Sequence, residues 1–154
     1  MQDIVSIFSE AAETLEYKFI YGAKAFLNYD VGDEQLTEGQ ILIALFPLID
    51  QATEIVHGGR IGKFETSTTV WIGRKFDHDQ YGGTVSELDE TNKQKYDRRL
   101  YELKGLVMDY IETTLCGTDI ELTSFRMSEY LNQTNENIDF IGCDIRLRHE
   151  RGYV

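Results

Sequence analysis

The last third of the chain carries the pattern that most restricts its fold. Residues 89–115 are rich in charge and repeat apolar side chains at three- and four-residue spacing, which is the period of an amphipathic helix. Two extended segments follow, residues 120–130 and 137–149. In the second, apolar and charged residues alternate, as in a strand with one buried face. A long helix followed by a pair of strands predicts a helical layer packed on a sheet.

The first half of the chain adds one shorter helix and three strands. Residues 3–15 place apolar side chains on one helical face. Three further segments have the β-branched, aromatic or aliphatic composition of strands: residues 17–21, 41–46 and 63–76. The order α-β-β-β-α-β-β predicts a single α+β domain over residues 1–154 with two layers. Its antiparallel sheet should have about five strands, with the two helices packed on it.

The second of these strands is apolar on both of its alternating faces. In an antiparallel sheet with helices on one face, the other face needs a second cover. A neighbouring subunit would supply it. We therefore predict a subunit interface at Ile41, Leu42, Ile43 and Phe46.

The glycine-rich segment at residues 57–63 comes close to a phosphate-binding loop. That motif requires Gly at position 57 and Ser or Thr at position 64, where this chain has His57 and Phe64. It also requires a helix to follow, whereas a strand is predicted here. We interpret the segment as a β-hairpin in which Gly58 and Gly59 form a two-residue turn.

The sequence predicts no catalytic residue, no cofactor and no metal site. Asp77, His78 and Asp79 are suitable metal ligands, but neither of the other two histidines has ligand-like spacing to them, so a solvated loop is expected. Cys116 and Cys143 are the only cysteines and are predicted to be buried thiols in a reducing compartment.

Charge and hydropathy exclude several classes of partner. The chain has 27 acidic and 15 basic residues and a formal net charge of −12, which argues against specific nucleic-acid binding. No signal peptide is recognisable, and the longest apolar run, nine residues, is too short to span a membrane. We expect a soluble protein with no membrane contact.

Several segments resemble small neck proteins of tailed bacteriophages: the tail-terminator, tail-completion or head–tail joining proteins, especially those of Bacteroidetes phages. These segments are residues 46–50 (FPLID), 69–77 (TVWIGRKFD), 95–100 (KYDRRL) and 137–140 (NIDF). The resemblance implies a structural virion protein that is assembled in the bacterial cytoplasm. It implies a homo-oligomeric ring of 6 or 12 copies around the DNA channel, in contact with other neck, tail or portal proteins, and no catalytic residues.

In such a ring, an acidic loop is a candidate for the channel lining or for a partner contact. Residues 30–38 carry four carboxylates and no base, on Asp30, Asp33, Glu34 and Glu38. Carboxylates facing DNA would repel its phosphates at close range. Solubility alone is the alternative reason for the acidic surplus.

Two other classes of function remain open at the level of sequence. One is a small-molecule-binding or enzymatic α+β domain, which should be monomeric or dimeric with a closed apolar pocket. The other is a non-virion phage protein that acts on a host partner. A ring former should instead show a large mass in solution.

Overall fold

In a computed structural model of the chain, residues 3–22, 39–75, 97–130 and 138–150 are described. Within them lie two α-helices, one π-helical turn and six strands. In chain order these are α1 (Ile4–Thr14), β1 (Lys18–Tyr21), β2 (Ile41–Leu45), β3 (Ile49–Val56), β4 (Arg60–Lys75), the π turn (Asp97–Tyr101), α2 (Glu102–Leu115), β5 (Glu121–Tyr130) and β6 (Ile138–Glu150).

The six strands form one mixed sheet around β4. Its order is β1-β2-β4-β6-β5, and β3 pairs with the N-terminal half of β4 on the edge that β2 also occupies. The pair β1–β2 is parallel and the other pairs are antiparallel. The predicted α+β class is confirmed, while the sheet has one strand more than expected and one parallel pair.

The additional strand is β3, which has no clear signal of its own in the sequence. Seven of its eight residues are exposed, so it has no buried face to produce an alternating pattern. It becomes a strand through its pairing with β4. The turn between them has three residues, because Val56 pairs with Arg60, so the predicted two-residue turn was one residue too short; both Gly58 and Gly59 adopt positive φ.

One face of the sheet, here called the inner face, packs against both helices. Tyr110 of α2 lies at the centre of this core, where its hydroxyl donates a 2.6 Å hydrogen bond to the carbonyl of Phe8 in α1. The two rings meet edge to face at 5.9 Å. The buried aliphatic residues that the helices and strands contribute to this core include Ile4, Leu103, Val107, Ile43, Val70, Ile72, Ile141 and Ile145.

An aromatic cluster covers the opposite, outer face at one end of the sheet. Trp71 stacks on Tyr130 with ring centroids 4.7 Å apart, and Phe46 and Phe140 pack beside it at 5.4 and 5.1 Å. A Cβ atom at Gly142 would lie 2.7 Å from the Tyr130 ring, so glycine leaves the space that this stack requires.

This cluster corrects the reason given for a subunit interface on β2. Within the single chain Leu42 is 1% exposed and Ile43 is 0% exposed. Leu42 packs in the outer-face cluster and Ile43 in the inner core. No neighbouring subunit is needed to cover this strand, because Trp71 and Phe140 share the outer-face cluster with Leu42. Leu42 and Ile43 are therefore core residues, and so is Ile41, at 8% exposed.

An ion pair fastens the start of the long helix to the sheet. Arg99, in the π turn, donates from Nε and Nη2 to both carboxylate oxygens of Asp139 on β6, at 2.8 and 2.7 Å. The Asp139 side chain is only 3% exposed, and two-point contact with a guanidinium is the geometry that best offsets the loss of hydration. The predicted helix at 89–115 is described from residue 97 onward, and its first residues lie outside the described ranges.

The buried face of α2 makes a direct prediction about stability. Leu103 is fully buried between the helix and the sheet, so Leu103→Ala should lower the free energy of unfolding by about 2–5 kcal/mol. Thr113→Ala, on the exposed face of the same helix, is the matched control and should change it far less. Chemical denaturation measures both, and equal losses would mean that the helix packs through a different face.

Candidate interaction surfaces

The outer face of the sheet has a groove beside the aromatic cluster, here called the outer groove. It has a volume of about 560 Å³ and is open to solvent. Phe46, Pro47 and Ile49 line one end, and Arg126 and Arg146 line the other. The groove therefore offers an apolar contact and a positive charge within the same depression.

Strand register brings the two arginines together. Ser124 and Arg126 lie opposite Arg146 and Asp144 of β6, after a register shift in β5 between Leu122 and Ser124. Without this β-bulge, the alternation of side chains would turn Ser124 and Arg126 toward the helices. The bulge therefore places them on the outer face.

The two arginines differ in their ion pairing. Arg126 contacts the Asp144 carboxylate at 3.2 Å, and the hydroxyl of Thr69 donates a second hydrogen bond to the same carboxylate. Arg146 has no ion pair or side-chain hydrogen bond within the described part of the chain. Its guanidinium is exposed and carries five N–H donors, which can donate hydrogen bonds to the carboxylate of a partner.

The β3–β4 hairpin presents a second, more apolar surface. At its tip Ile55 and Ile61 face each other across the strands and are 67% and 37% exposed, and Val56 beside them is 40% exposed. Ile49, at the base of the hairpin, is 69% exposed and lines the outer groove. Exposed aliphatic residues clustered on one element are typical of protein-contact surfaces.

A chain of hydrogen bonds, buried at Thr66 and His149 and exposed at Asp50, links the base of this hairpin to β6. The Thr66 hydroxyl donates to Asp50 Oδ1, and the Nε2 atom of His149 lies 2.7 Å from the same hydroxyl oxygen. Since Thr66 has a single proton to donate, Nε2 must carry its own proton and act as the donor. Nδ1 is then an unprotonated nitrogen, and it finds no hydrogen-bond partner among the described residues.

This arrangement favours neutral His149. Its side chain is 1% exposed, and burial lowers the pKa of the imidazole, although the Asp50 carboxylate acts in the opposite direction. Phe64 stacks on the ring at 5.8 Å. A second proton at Nδ1 would be a buried charge without an acceptor, so the neutral ring is part of the folded structure.

Of the residues predicted from sequence to make contacts, one lies at these surfaces. Phe46 is half-buried between Trp71 and the outer groove. The candidate channel-lining residues Asp30, Asp33, Glu34 and Glu38 lie outside the described residues.

The two cysteines differ in their exposure to solvent. Cys143 is buried, and burial raises the pKa of its thiol to about 12. Cys116 is exposed, so the prediction that both thiols are buried was wrong for it. It lies where the helix ends, before a turn at Gly117, and the helical period places it on the solvent face.

The described ranges contain neither a group of metal-ligand side chains nor a helix that could span a membrane. No three His, Cys, Asp or Glu side chains there are grouped as metal ligands, and the predicted metal-ligand alternative at residues 77–79 lies outside those ranges. No helix within them has the length and apolar character needed to cross a bilayer.

Comparison with known proteins does not assign the chain to a family. It matches no protein-family model and no curated protein.

The buried imidazole predicts a specific dependence of stability on pH. The unfolded chain should bind a proton at His149 near the ordinary pKa of 6.5, whereas the folded chain binds it only at lower pH. The contribution of neutral His149 to the stability of the fold is therefore complete above about pH 6.5, and it is lost as the pH falls toward the pKa of His149 in the folded chain. When the pH is lowered from 7.5 to 5.5, the urea concentration at the midpoint of unfolding should fall more for the natural chain than for His149→Gln.

The matched control for this measurement is His57→Gln, in the exposed hairpin turn, which should keep the full pH dependence of the natural chain. An identical pH dependence in His149→Gln and in the natural chain would contradict the role assigned to the buried imidazole.

Proposed function

We propose that this chain is a structural protein of the neck or tail end of a tailed bacteriophage. In this proposal it forms a homo-oligomeric ring around the DNA channel and contacts other neck, tail or portal proteins. The resemblance of residues 46–50, 69–77, 95–100 and 137–140 to small phage neck proteins supports it. The structure has the α+β class that the order of predicted helices and strands indicated, with both helices packed on one face of the sheet.

The observation that carries the proposal is the exposure of aliphatic side chains on the β3–β4 hairpin. Ile49, Ile55, Val56 and Ile61 all lie on this one element and are at least 37% exposed. Exposed aliphatic side chains that are grouped on one element, rather than scattered singly, are typical of surfaces that contact another protein. A chain that is a subunit can bury them against its neighbours.

The outer groove favours a protein contact over a small-molecule site. Pockets that bind small molecules are enclosed and bury most of the ligand surface. This groove is open, and charged arginine side chains line one of its ends. A flat, partly charged depression of this kind fits a protruding element of another protein better than a compact ligand.

The acidic character of the chain fits a ring through which DNA passes. With a net charge of −12, the subunit does not attract phosphates over long distances. A ring that lets a duplex slide must avoid strong phosphate contacts, since each one adds to the affinity.

The mass of the purified protein in solution tests the proposal. We expect a closed assembly of 6 or 12 copies, about 107 or 214 kDa for a subunit of 17.8 kDa, measured by light scattering after size-exclusion chromatography. Negative-stain images of the same fraction should show rings. A monomer or dimer at all concentrations would contradict the proposal and favour a small-molecule-binding domain or a protein that acts on a host partner.

A further inference from the structure

The two helices of the described chain form a strongly acidic layer. Together α1 and α2 contain five carboxylates, all exposed, and a single lysine: Glu10, Glu13, Glu102, Asp109, Glu112 and Lys104. The lysine is already paired with Glu129 of β5 at 2.9 Å, and Glu102 is paired with Arg74 of β4 at 3.5 Å, so four carboxylates give the layer its negative charge. The helical side of the subunit is therefore repelled by any other acidic surface and attracted to exposed arginines.

The outward ridge of α2 combines this charge with an apolar side chain. Met108, Glu112 and Cys116 are spaced by four residues and are all exposed, so they lie in one row along the helix. Met108 is 42% exposed, unusually for a large apolar residue. At 1.5 Å per residue the row is about 12 Å long.

The outer groove contains a row of residues of similar length, in which an apolar side chain, a cationic one and a small one follow in the order that matches Met108, Glu112 and Cys116. Ile49 pairs with Ser67, Ser67 with Arg146, and Arg146 with Ser124, so these residues lie side by side across four strands. Three strand spacings of about 4.8 Å give a row of about 14 Å. The row runs from apolar Ile49, through cationic Arg146, to the small residue Ser124.

We infer that the outer groove of one copy receives the α2 ridge of the next copy in the ring. This inference rests on the proposed function, because it requires that the chain assembles. Met108 contacts Ile49 and Pro47 at the apolar end, and Glu112 pairs with the guanidinium of Arg146. Cys116 then lies over Ser124.

A second copy fits the groove for reasons of charge and geometry. The groove lining includes two arginines and one aspartate, a net charge of +1 in a chain of −12, so it is a place where the acidic helical layer is attracted. Helix and groove lie on opposite faces of the subunit. Contacts between opposite faces are head-to-tail, and such contacts form a ring when the rotation from one copy to the next closes on itself.

Charge reversal tests the pairing of Glu112 with Arg146. Glu112→Arg and Arg146→Glu should each raise the subunit concentration at half-assembly by at least about tenfold. Both reversals in one chain, or an equal mixture of the two single variants, should restore assembly, because every contact then pairs an arginine with a glutamate. Asp119→Arg, the same change of charge on an exposed residue outside the ridge, is the control and should assemble normally.

Disulfide trapping tests the position of the ridge independently of charge. Ser124→Cys should form a disulfide with the natural Cys116 of the next copy on mild oxidation, since Cys143 is buried and inaccessible. Non-reducing denaturing electrophoresis should then show a ladder of linked subunits. The ladder should disappear when Cys116→Ser is added, and Thr53→Cys, exposed on β3, should not produce it.

The outcomes separate this inference from the proposed function. If the natural chain forms rings and both charge reversals do so equally well, the contact is refuted and the ring stands. Failure of the mixture to restore assembly also refutes the pairing. A natural chain that stays monomeric overturns both the contact and the ring.

Discussion

The antiparallel ladder between β4 and β6 joins Lys63–Lys75 to Ile138–Glu150 without a register shift. On its inner face, this ladder supplies Val70, Ile72, Ile141 and Ile145 to the core on which both helices pack. On its outer face, the same ladder pairs Trp71 with Gly142 and Ser67 with Arg146. A slip by one residue would exchange the two faces, exposing the core and burying the arginines. The aromatic cluster, the outer groove and the base of the hairpin all depend on this one register.

The sequence predicted the elements whose residues alternate between core and solvent. In β6, Ile145 and Leu147 are buried while Arg146 and Arg148 are exposed, and α2 buries Leu103 and Val107, as their periods indicated. It could not predict what covers the second face of β2. Alternation shows that Leu42 is buried, but an aromatic ring from the same chain and a neighbouring subunit produce the same pattern. The choice depends on Trp71 and Tyr130, which are 59 residues apart in sequence and stack only in the folded sheet.

The outer groove was harder still to predict from the sequence, because the register between strands decides which side chains line it. Arg126 and Arg146 share the groove owing to a bulge in β5, and no local pattern marks a bulge that contains no glycine. The strand β3 was implied by the predicted hairpin turn but not counted among the five strands, because nearly all of its side chains face solvent and its pairing with β4 leaves no hydropathy pattern. The Asp50–Thr66–His149 chain joins three strands through single polar residues that have no spacing motif. Surfaces and polar contacts formed by several strands cannot be predicted from the sequence until the pairing of those strands is known.

Trp71 is the only tryptophan of the chain, and its place in the aromatic cluster makes it an internal optical reporter. Its indole is 3% exposed and stacks on Tyr130, while Phe46 joins it directly to the lining of the outer groove. The tryptophan fluorescence of the chain therefore reports on the border between the aromatic cluster and the outer groove. A change in the packing of Phe46 alters the surroundings of the Trp71 indole directly, whereas the helices pack on the opposite face of the sheet. The fluorescence spectrum of the unmodified protein thus reports on the outer face of the subunit without any added label.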